Sequence, residues 1–457
     1  MKKETIAAIA TGTGNSGIGI VRISGEEAFS VVDRIFKGKS GKSLKDSKSH
    51  RVYYGHIVDH GEIIDEVLVL VMKGPHSYTA EDTVEIDCHG GILVTRRILE
   101  IVVLNGARPA EPGEFTKRAF LNGRIDLSQS EAVIDVINSQ NQFALKSSMS
   151  QLQGSLKSKI KIMREKIIYE IAFIESALDD PEHISMVGYS GKLVVLVDKL
   201  LDEIQTLLKN SDNGKLLKEG INTVIVGKPN AGKSSLMNLL VGEEKAIVTE
   251  IAGTTRDILE ESILLGGIQL NIIDTAGIRN TVDKVEKIGV QRAKQYADSA
   301  DLIIYVVDAS VELDGNDKEI MEMIKDKIVV ILLNKSDLPA KVTKEELNGY
   351  LKKEMISISA REEEGMDQLE ETIKKMFFAG KVSFNDEIYI TNARQKSELR
   401  NCRESLELVK RSIEDGMPED FYSIDLMNAY ESLGNIIGEA MGEDLVNEIF
   451  HKFCMGK

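Results

Sequence analysis

Residues 227–234 read Gly-Lys-Pro-Asn-Ala-Gly-Lys-Ser, with the spacing G-x-x-x-x-G-K-S. An apolar run, Ile221 to Val226, precedes this stretch, and a helix-compatible one, Ser235 to Leu240, follows it. Strand, glycine-rich turn and helix in that order make a phosphate-binding loop. Glycines at 227 and 232 let backbone N–H groups turn inward around a phosphate chain. Lys233 can reach the β- and γ-phosphates, and the Ser234 hydroxyl can bind Mg²⁺. The helix N-terminus behind the loop adds a field that favours anions. A glycine turn that binds nothing would need none of this context.

Three further segments select the nucleotide. Asp274-Thr275-Ala276-Gly277 follows the apolar run Leu270 to Ile273. A carboxylate there can hold Mg²⁺ through water, and Gly277 can offer its N–H to a γ-phosphate. Asn334-Lys335-Ser336-Asp337 follows the run Ile328 to Leu333. The Asp337 carboxylate is a forked acceptor that matches the two adjacent N–H donors on the edge of guanine. Adenine would leave it unpaired, a mismatch that discriminates by roughly 10⁴-fold in a site built for hydrogen bonding. Ser359-Ala360, after Met355 to Ile358, can place an N–H on the guanine oxygen. Asn-Lys-x-Asp alone is as often a surface turn, but four elements in this order specify a GTPase. Between the first and second lies Ala252-Gly253-Thr254-Thr255-Arg256-Asp257, where a threonine can complete the Mg²⁺ shell only with the γ-phosphate present.

Some GTPases activate water with a glutamine directly after Asp-x-x-Gly. Here that position is Ile278, which cannot do so. Asp283, Glu286 and Arg279 are the polar candidates downstream. Glu286 opens an amphipathic pattern through Tyr296, where it would equally serve as a carboxylate facing the helix dipole.

At 457 residues the chain has room for about three domains. Its 57 basic and 73 acidic side chains leave a net charge of −16. Such a balance disfavours direct binding of nucleic acid except through a local basic patch or a partner. Lys146 to Lys166 holds several lysines and one arginine at helical spacing, which reads first as a solvated helix face. Three sparse cysteines, Cys88, Cys402 and Cys454, suit a reducing, cytoplasmic compartment. No apolar run has signal-peptide character or membrane-spanning length, so no membrane association is expected.

Residues 1–121 mix short strands (Ile18 to Ile23, Val67 to Met72, Val84 to Ile86) with a helix, Leu93 to Val103, and form an α+β block. Residues 122–216 are helical. Ser128-Gln129-Ser130-Glu131 fits a capping box, and one long pattern runs to about Leu178. A second helix spans Leu193 to Leu208 before a polar break at Asn210 to Gly214. Residues 217–379 alternate strands and helices as a mainly parallel, doubly wound sheet, with a hairpin around Gly266-Gly267. Helical patterns return over 380–457, in Ala393 to Ile413, Asp425 to Gly438 and Asp444 to Phe453. The fold class is therefore read as multidomain, an α-helical block with an inserted α/β phosphate-loop GTPase domain behind an α+β domain; two independent helical domains flanking the GTPase domain are the alternative.

Outside the nucleotide elements, several signatures are more specific. They are Ile20-Val21-Arg22-Ile23-Ser24-Gly25, Glu81-Asp82-Thr83-Val84-Glu85-Ile86, His89-Gly90-Gly91, Pro112-Gly113-Glu114-Phe115-Thr116, Arg118-Ala119-Phe120-Leu121-Asn122, and Phe453-Cys454-Met455-Gly456-Lys457. On these residues the chain resembles, over its whole length, the tRNA-modifying GTPases of the MnmE/TrmE family. The resemblance implies that the N-terminal domain binds a tetrahydrofolate derivative (5-formyl- or methylene-tetrahydrofolate) and dimerises. It implies a homodimer that forms a heterotetramer with the flavoprotein MnmG (GidA). Together they would install a carboxymethylaminomethyl-type group at carbon 5 of the wobble uridine, meeting tRNA mainly through the complex.

By the same resemblance, the folate contacts fall on Arg22, Glu85, Arg124 and Lys457. The implied GTP and GDP contacts cover Asn230, Ala231, Gly232, Lys233, Ser234 and Ser235, and then Thr249, Glu250, Ile251, Ala252, Gly253, Thr254 and Thr255. They continue through Asp274, Thr275, Ala276, Gly277, Asn334, Lys335, Asp337, Ser359 and Ala360. Mg²⁺ would bind Ser234 and Thr255. K⁺ would replace an arginine finger, held by Asn230, Thr249, Ile251 and Thr254. The family's water-orienting glutamate matches Glu286. A ribosome-assembly or RNA-chaperone GTPase is the alternative. It expects a basic RNA-binding domain after the GTPase domain, where this chain has helices of mixed charge.

Overall fold

The computed structural model describes residues 4–12, 14–39, 41, 43–243, 261–273, 300–378, 390–439, 449–450, 453 and 456. Two compact units emerge. One comprises residues 1–137, 149–200 and 401–457, the other residues 138–148 and 201–400.

In the first unit, a seven-stranded sheet gathers the N-terminal residues. Its central strands Ile18–Ser24, Glu62–Met72 and Thr83–His89 run antiparallel to their neighbours. Alternation decides their faces. Val21, Ile23, Val69, Val71, Val84 and Ile86 are buried beneath the helices Ala28–Ile35 and Ile92–Leu104. The alternate residues Arg22 and Glu85 lie opposite each other in register on the other face.

The helical part departs from the sequence reading in three places. The single pattern from Ser128 to Leu178 is three helices, Leu127–Ile137, Gln142–Leu152 and Ser155–Asp179. A left-handed Gly154 (φ +91°) separates the last two. The capping box belongs to Asp126 and Gln129. The Asp126 carboxylate accepts the Gln129 N–H at 2.9 Å, and the Gln129 side chain accepts the Asp126 N–H at 3.1 Å. Aspartate caps as well as serine does, and its helix starts two residues earlier. The expected break at Asn210 to Gly214 is helical, inside Tyr189–Glu219. Buried Leu207, Leu208 and Ser211 hold that turn in place, and Ser211 returns its hydroxyl to the Leu208 carbonyl.

Ser155–Asp179 packs along Glu419–Ile437. Ile160, Met163, Ile167, Ile171 and Ile174 form its buried stripe. Arg164, read as part of a solvated face, is buried with its guanidinium 4.0 Å from the Tyr430 ring centre, and it pairs with Glu439.

The second unit is built on a six-stranded sheet. Glu354–Ser357, Val329–Asn334, Leu302–Asp308, Ile221–Val226 and Ile268–Ile272 are parallel in that order, and Glu261–Leu265 closes one edge antiparallel. These strands are apolar on both faces, as a sheet covered on both sides requires. All the loops that follow the parallel strands leave from one edge of the sheet, where ligands bind in open α/β folds.

Candidate nucleotide and N-terminal sites

Ile221–Val226 ends at Gly227, and the helix Lys233–Glu243 begins six residues later. A Cβ at Gly227 (φ +153°) would stand 2.4 Å from the Val306 carbonyl of the adjacent strand, so the loop leaves the sheet only with glycine there. Asn230 occupies the left-handed region (φ +62°) at the exposed crest of the loop, a conformation asparagine tolerates. The half-buried Lys233 ammonium donates to the carbonyls of Gly227 at 2.7 Å and Lys228 at 2.8 Å. Burial lowers its pKa below the ordinary lysine value.

Val329–Asn334 brings the base-reading segment to the same edge. Asn334, 2% exposed, donates through its side chain to the Ala231 carbonyl at 2.8 Å. Its side-chain oxygen accepts the Ala360 N–H at 3.1 Å. A Cβ at Gly232 would lie 1.9 Å from the Asn334 amide nitrogen. The second glycine of the loop therefore makes room for a side chain 102 positions away. Ser359 donates to the exposed Asp337 carboxylate at 2.8 Å, and Lys335 pairs with Asp308 at 2.5 Å. Asn230 to Ser235, on the phosphate loop and the first turn of its helix, thus share one end of the sheet with Asn334, Lys335, Asp337, Ser359 and Ala360. Thr249, Glu250, Ile251, Ala252, Gly253, Thr254, Thr255, Asp274, Thr275, Ala276, Gly277 and Glu286 lie outside the described residues.

A second cluster lies in the first unit. Arg22 Nε donates to Glu85 at 2.7 Å. Its guanidinium also donates to the Gly456 carbonyl at 3.2 Å. The half-buried Tyr78 ring has Arg22 at 5.4 Å and Arg124 at 5.0 Å from its centre, and its hydroxyl shares a hydrogen bond with Thr116. A Cβ at Gly456 (φ +82°) would approach the Ile9 carbonyl to 2.3 Å, so this residue is seated against the strand Ile6–Ile9. Two of the expected folate residues, Arg22 and Arg124, therefore flank Tyr78, and a third, Glu85, is paired with Arg22. Lys457, the fourth, lies outside the described residues.

Two family models match the chain: the MnmE helical domain over residues 127–454 and the GTP-binding protein TrmE N-terminus over residues 5–124. A tRNA modification GTPase MnmE of Lachnoclostridium phytofermentans is 60% identical over 458 residues, covering 100% of both chains. Proteins of the same name from Clostridioides difficile and Alkaliphilus metalliredigens are each 48% identical, covering 99% of both chains.

The chain belongs to the MnmE family.

In this MnmE-family chain, sequence reasoning gave no role to Tyr78, to Asp308, or to Thr116 beyond its place in the Pro112 to Thr116 signature. Each acts through a partner distant in sequence, and none carries a spacing that marks it. Tyr78 could have been noticed as an aromatic beside the Glu81–Ile86 signature, but no local pattern joins it to Arg22 or Arg124. Cys88 is buried, and burial, with Asp65 nearby, pushes its thiol up to about 11, so it stays protonated at neutral pH. Among the described residues no helix is long and apolar enough to cross a membrane.

Proposed function

We propose that this chain hydrolyses GTP and, with a flavoprotein partner, contributes to installing a carboxymethylaminomethyl-type group at carbon 5 of the wobble uridine of tRNA. The observation that carries the nucleotide half is the Asn334 bridge, which ties the phosphate loop to the turn that would read guanine. Family membership carries the tRNA half.

Ser234 and Thr255 would hold Mg²⁺, which neutralises charge on the phosphates. Asn230, Thr249, Ile251 and Thr254 would hold K⁺. Asn230 fits, being a carboxamide on the exposed crest of the phosphate loop. Glu286 would orient the attacking water. Asp337 would accept both N–H groups of the guanine edge, with Ser359 fixing one of its oxygens.

The donor set around Tyr78 fits a folate. Glu85, held by Arg22, suits the paired N–H donors of a pterin, and Arg124 suits a carboxylate of the glutamate tail. When bound, a folate would supply the one-carbon unit. Gly456 on Arg22 supports a role for residues 453–457 beside that ligand.

The test is deletion of residues 453–457 in a complementation strain. GTP hydrolysis should remain near the parent's, folate retention should weaken, and mass spectrometry of wobble nucleosides should show the modification lost. Full modification by the truncated protein would remove the tail from the site. A parent unable to restore the modification would remove the tRNA reading itself.

A further inference from the structure

Lys228, the second residue of the phosphate loop, has no role in the motif. Its side chain is only 16% exposed, and its ammonium lies 2.6 Å from Asp317 and 2.9 Å from Asp314. Both carboxylates belong to the start of the helix Gly315–Ile324. Asp314 caps that helix by accepting the Asn316 and Asp317 N–H groups, and Asp317 accepts the Asp314 N–H in return. Asp317 is 1% exposed, and the fully buried Tyr305 hydroxyl donates to its other oxygen at 3.0 Å. Burial works against the Lys228 charge, but its hydrogen bonds to Asp317 and Asp314 outweigh this and raise its pKa.

A chain of contacts thus runs from the central strand Leu302–Asp308, through Tyr305 and Asp317, to the loop. At its end, the backbone carbonyl of Lys228 accepts the Lys233 ammonium at 2.8 Å and the Ala231 N–H at 3.3 Å. Ala231 in turn receives Asn334. The loop is therefore pinned from two sides, by Asn334 at its far end and by Lys228 near its start.

We infer that Lys228 is a positioning residue of the triphosphate site. Its side chain, anchored on Asp317 and Asp314, sets the loop backbone that carries Lys233. This inference rests on the GTPase reading. A mobile surface lysine could not do this, because an exposed pair restrains little. A buried carboxylate with three partners holds its cation in one place.

The full-length protein is compared with Lys228→Met, Lys228→Arg and the double variant Lys228→Met with Asp317→Asn. GTP and GDP affinities are read by fluorescent-nucleotide titration, hydrolysis as separate kcat and KM, and folding by circular dichroism. Lys228→Met should weaken GTP binding roughly tenfold or more, the scale of a lost charged hydrogen bond. Lys228→Arg should recover most of the loss. The double variant relieves the orphaned buried carboxylate. It should therefore regain thermal stability while keeping the weak affinity, which a purely structural role would not produce. Lys228→Met within twofold of the parent, or a double variant with parental affinity, overturns the inference while leaving the GTPase reading intact. A parent that binds no GTP overturns both.

Discussion

The side-chain amide of Asn334 donates to the backbone carbonyl of Ala231 at 2.8 Å, across 103 positions of sequence. The phosphate loop and the base-reading segment are thereby a single hydrogen-bonded object. Asn334→Ala would orphan the buried Ala231 carbonyl, at a cost of about 1–3 kcal/mol, and remove the partner of the half-buried Ala360 N–H. GTP affinity should fall roughly tenfold or more, and the melting temperature should drop. Titration and calorimetry check this. Unchanged affinity would mean that the bridge is incidental to nucleotide binding.

Asp337→Asn keeps an acceptor for Ser359 but turns half of the fork into a donor. GTP binding should weaken, and xanthosine triphosphate, whose edge offers an acceptor in place of the amino group, should gain in relative affinity. Competition titration of the two nucleotides decides it. A variant that still prefers GTP as strongly as the parent would show that the base is read elsewhere.

Hydrolysis should be faster in K⁺ than in Na⁺, and Asn230→Ala should abolish the difference with nucleotide binding largely intact. Equal parental rates in the two salts would rule out the K⁺ site. Glu286→Ala should bind GTP normally yet turn over on the order of 10²-fold more slowly, the scale of a lost water-positioning group. Normal turnover would return the role to Asp283 or to no side chain.

Glu114 supplies a pH prediction. Burial would raise its pKa, but hydrogen bonds from Arg108, the Glu111 N–H and Arg118 overcome this and hold it down to about 2, against 4.5 in an unfolded chain. A carboxylate depressed on folding stabilises the protein above its unfolded pKa, and that contribution is lost as pH falls toward the folded value. About 3 kcal/mol should therefore disappear between roughly pH 4.5 and pH 2. Urea unfolding across this range should show a smaller loss for Glu114→Gln, which is already less stable at pH 7. Parallel pH profiles for parent and variant would contradict the assignment.

The sequence was informative where chemistry and backbone shape coincide locally. Ile221 to Val226 was readable as a strand to the residue, because an apolar run meeting a glycine turn leaves little choice. The strands beside Asn334 and Ser359 were readable to within one residue, as Val329–Asn334 and Glu354–Ser357, and the hairpin at Gly266-Gly267 formed as expected. The helical region was less legible. Periodicity carries across a one-turn interruption, so Gly154 did not reveal itself as a break, and Asn210 to Gly214 looked polar although neighbouring leucines hold it helical. Tyr78 between two arginines, and Lys228 on Asp317, are tertiary pairs that no spacing encodes.

The packing of Ser155–Asp179 against Glu419–Ile437 has a consequence for synthesis. The first helix leaves the ribosome roughly 240 residues before its partner. At about 5–20 residues per second, its isoleucine stripe waits on the order of 10 to 50 seconds for cover. Residues 201–400, complete in the meantime, can fold ahead of a unit begun earlier. A stop codon anywhere after residue 200 and before 419 leaves that stripe without this partner.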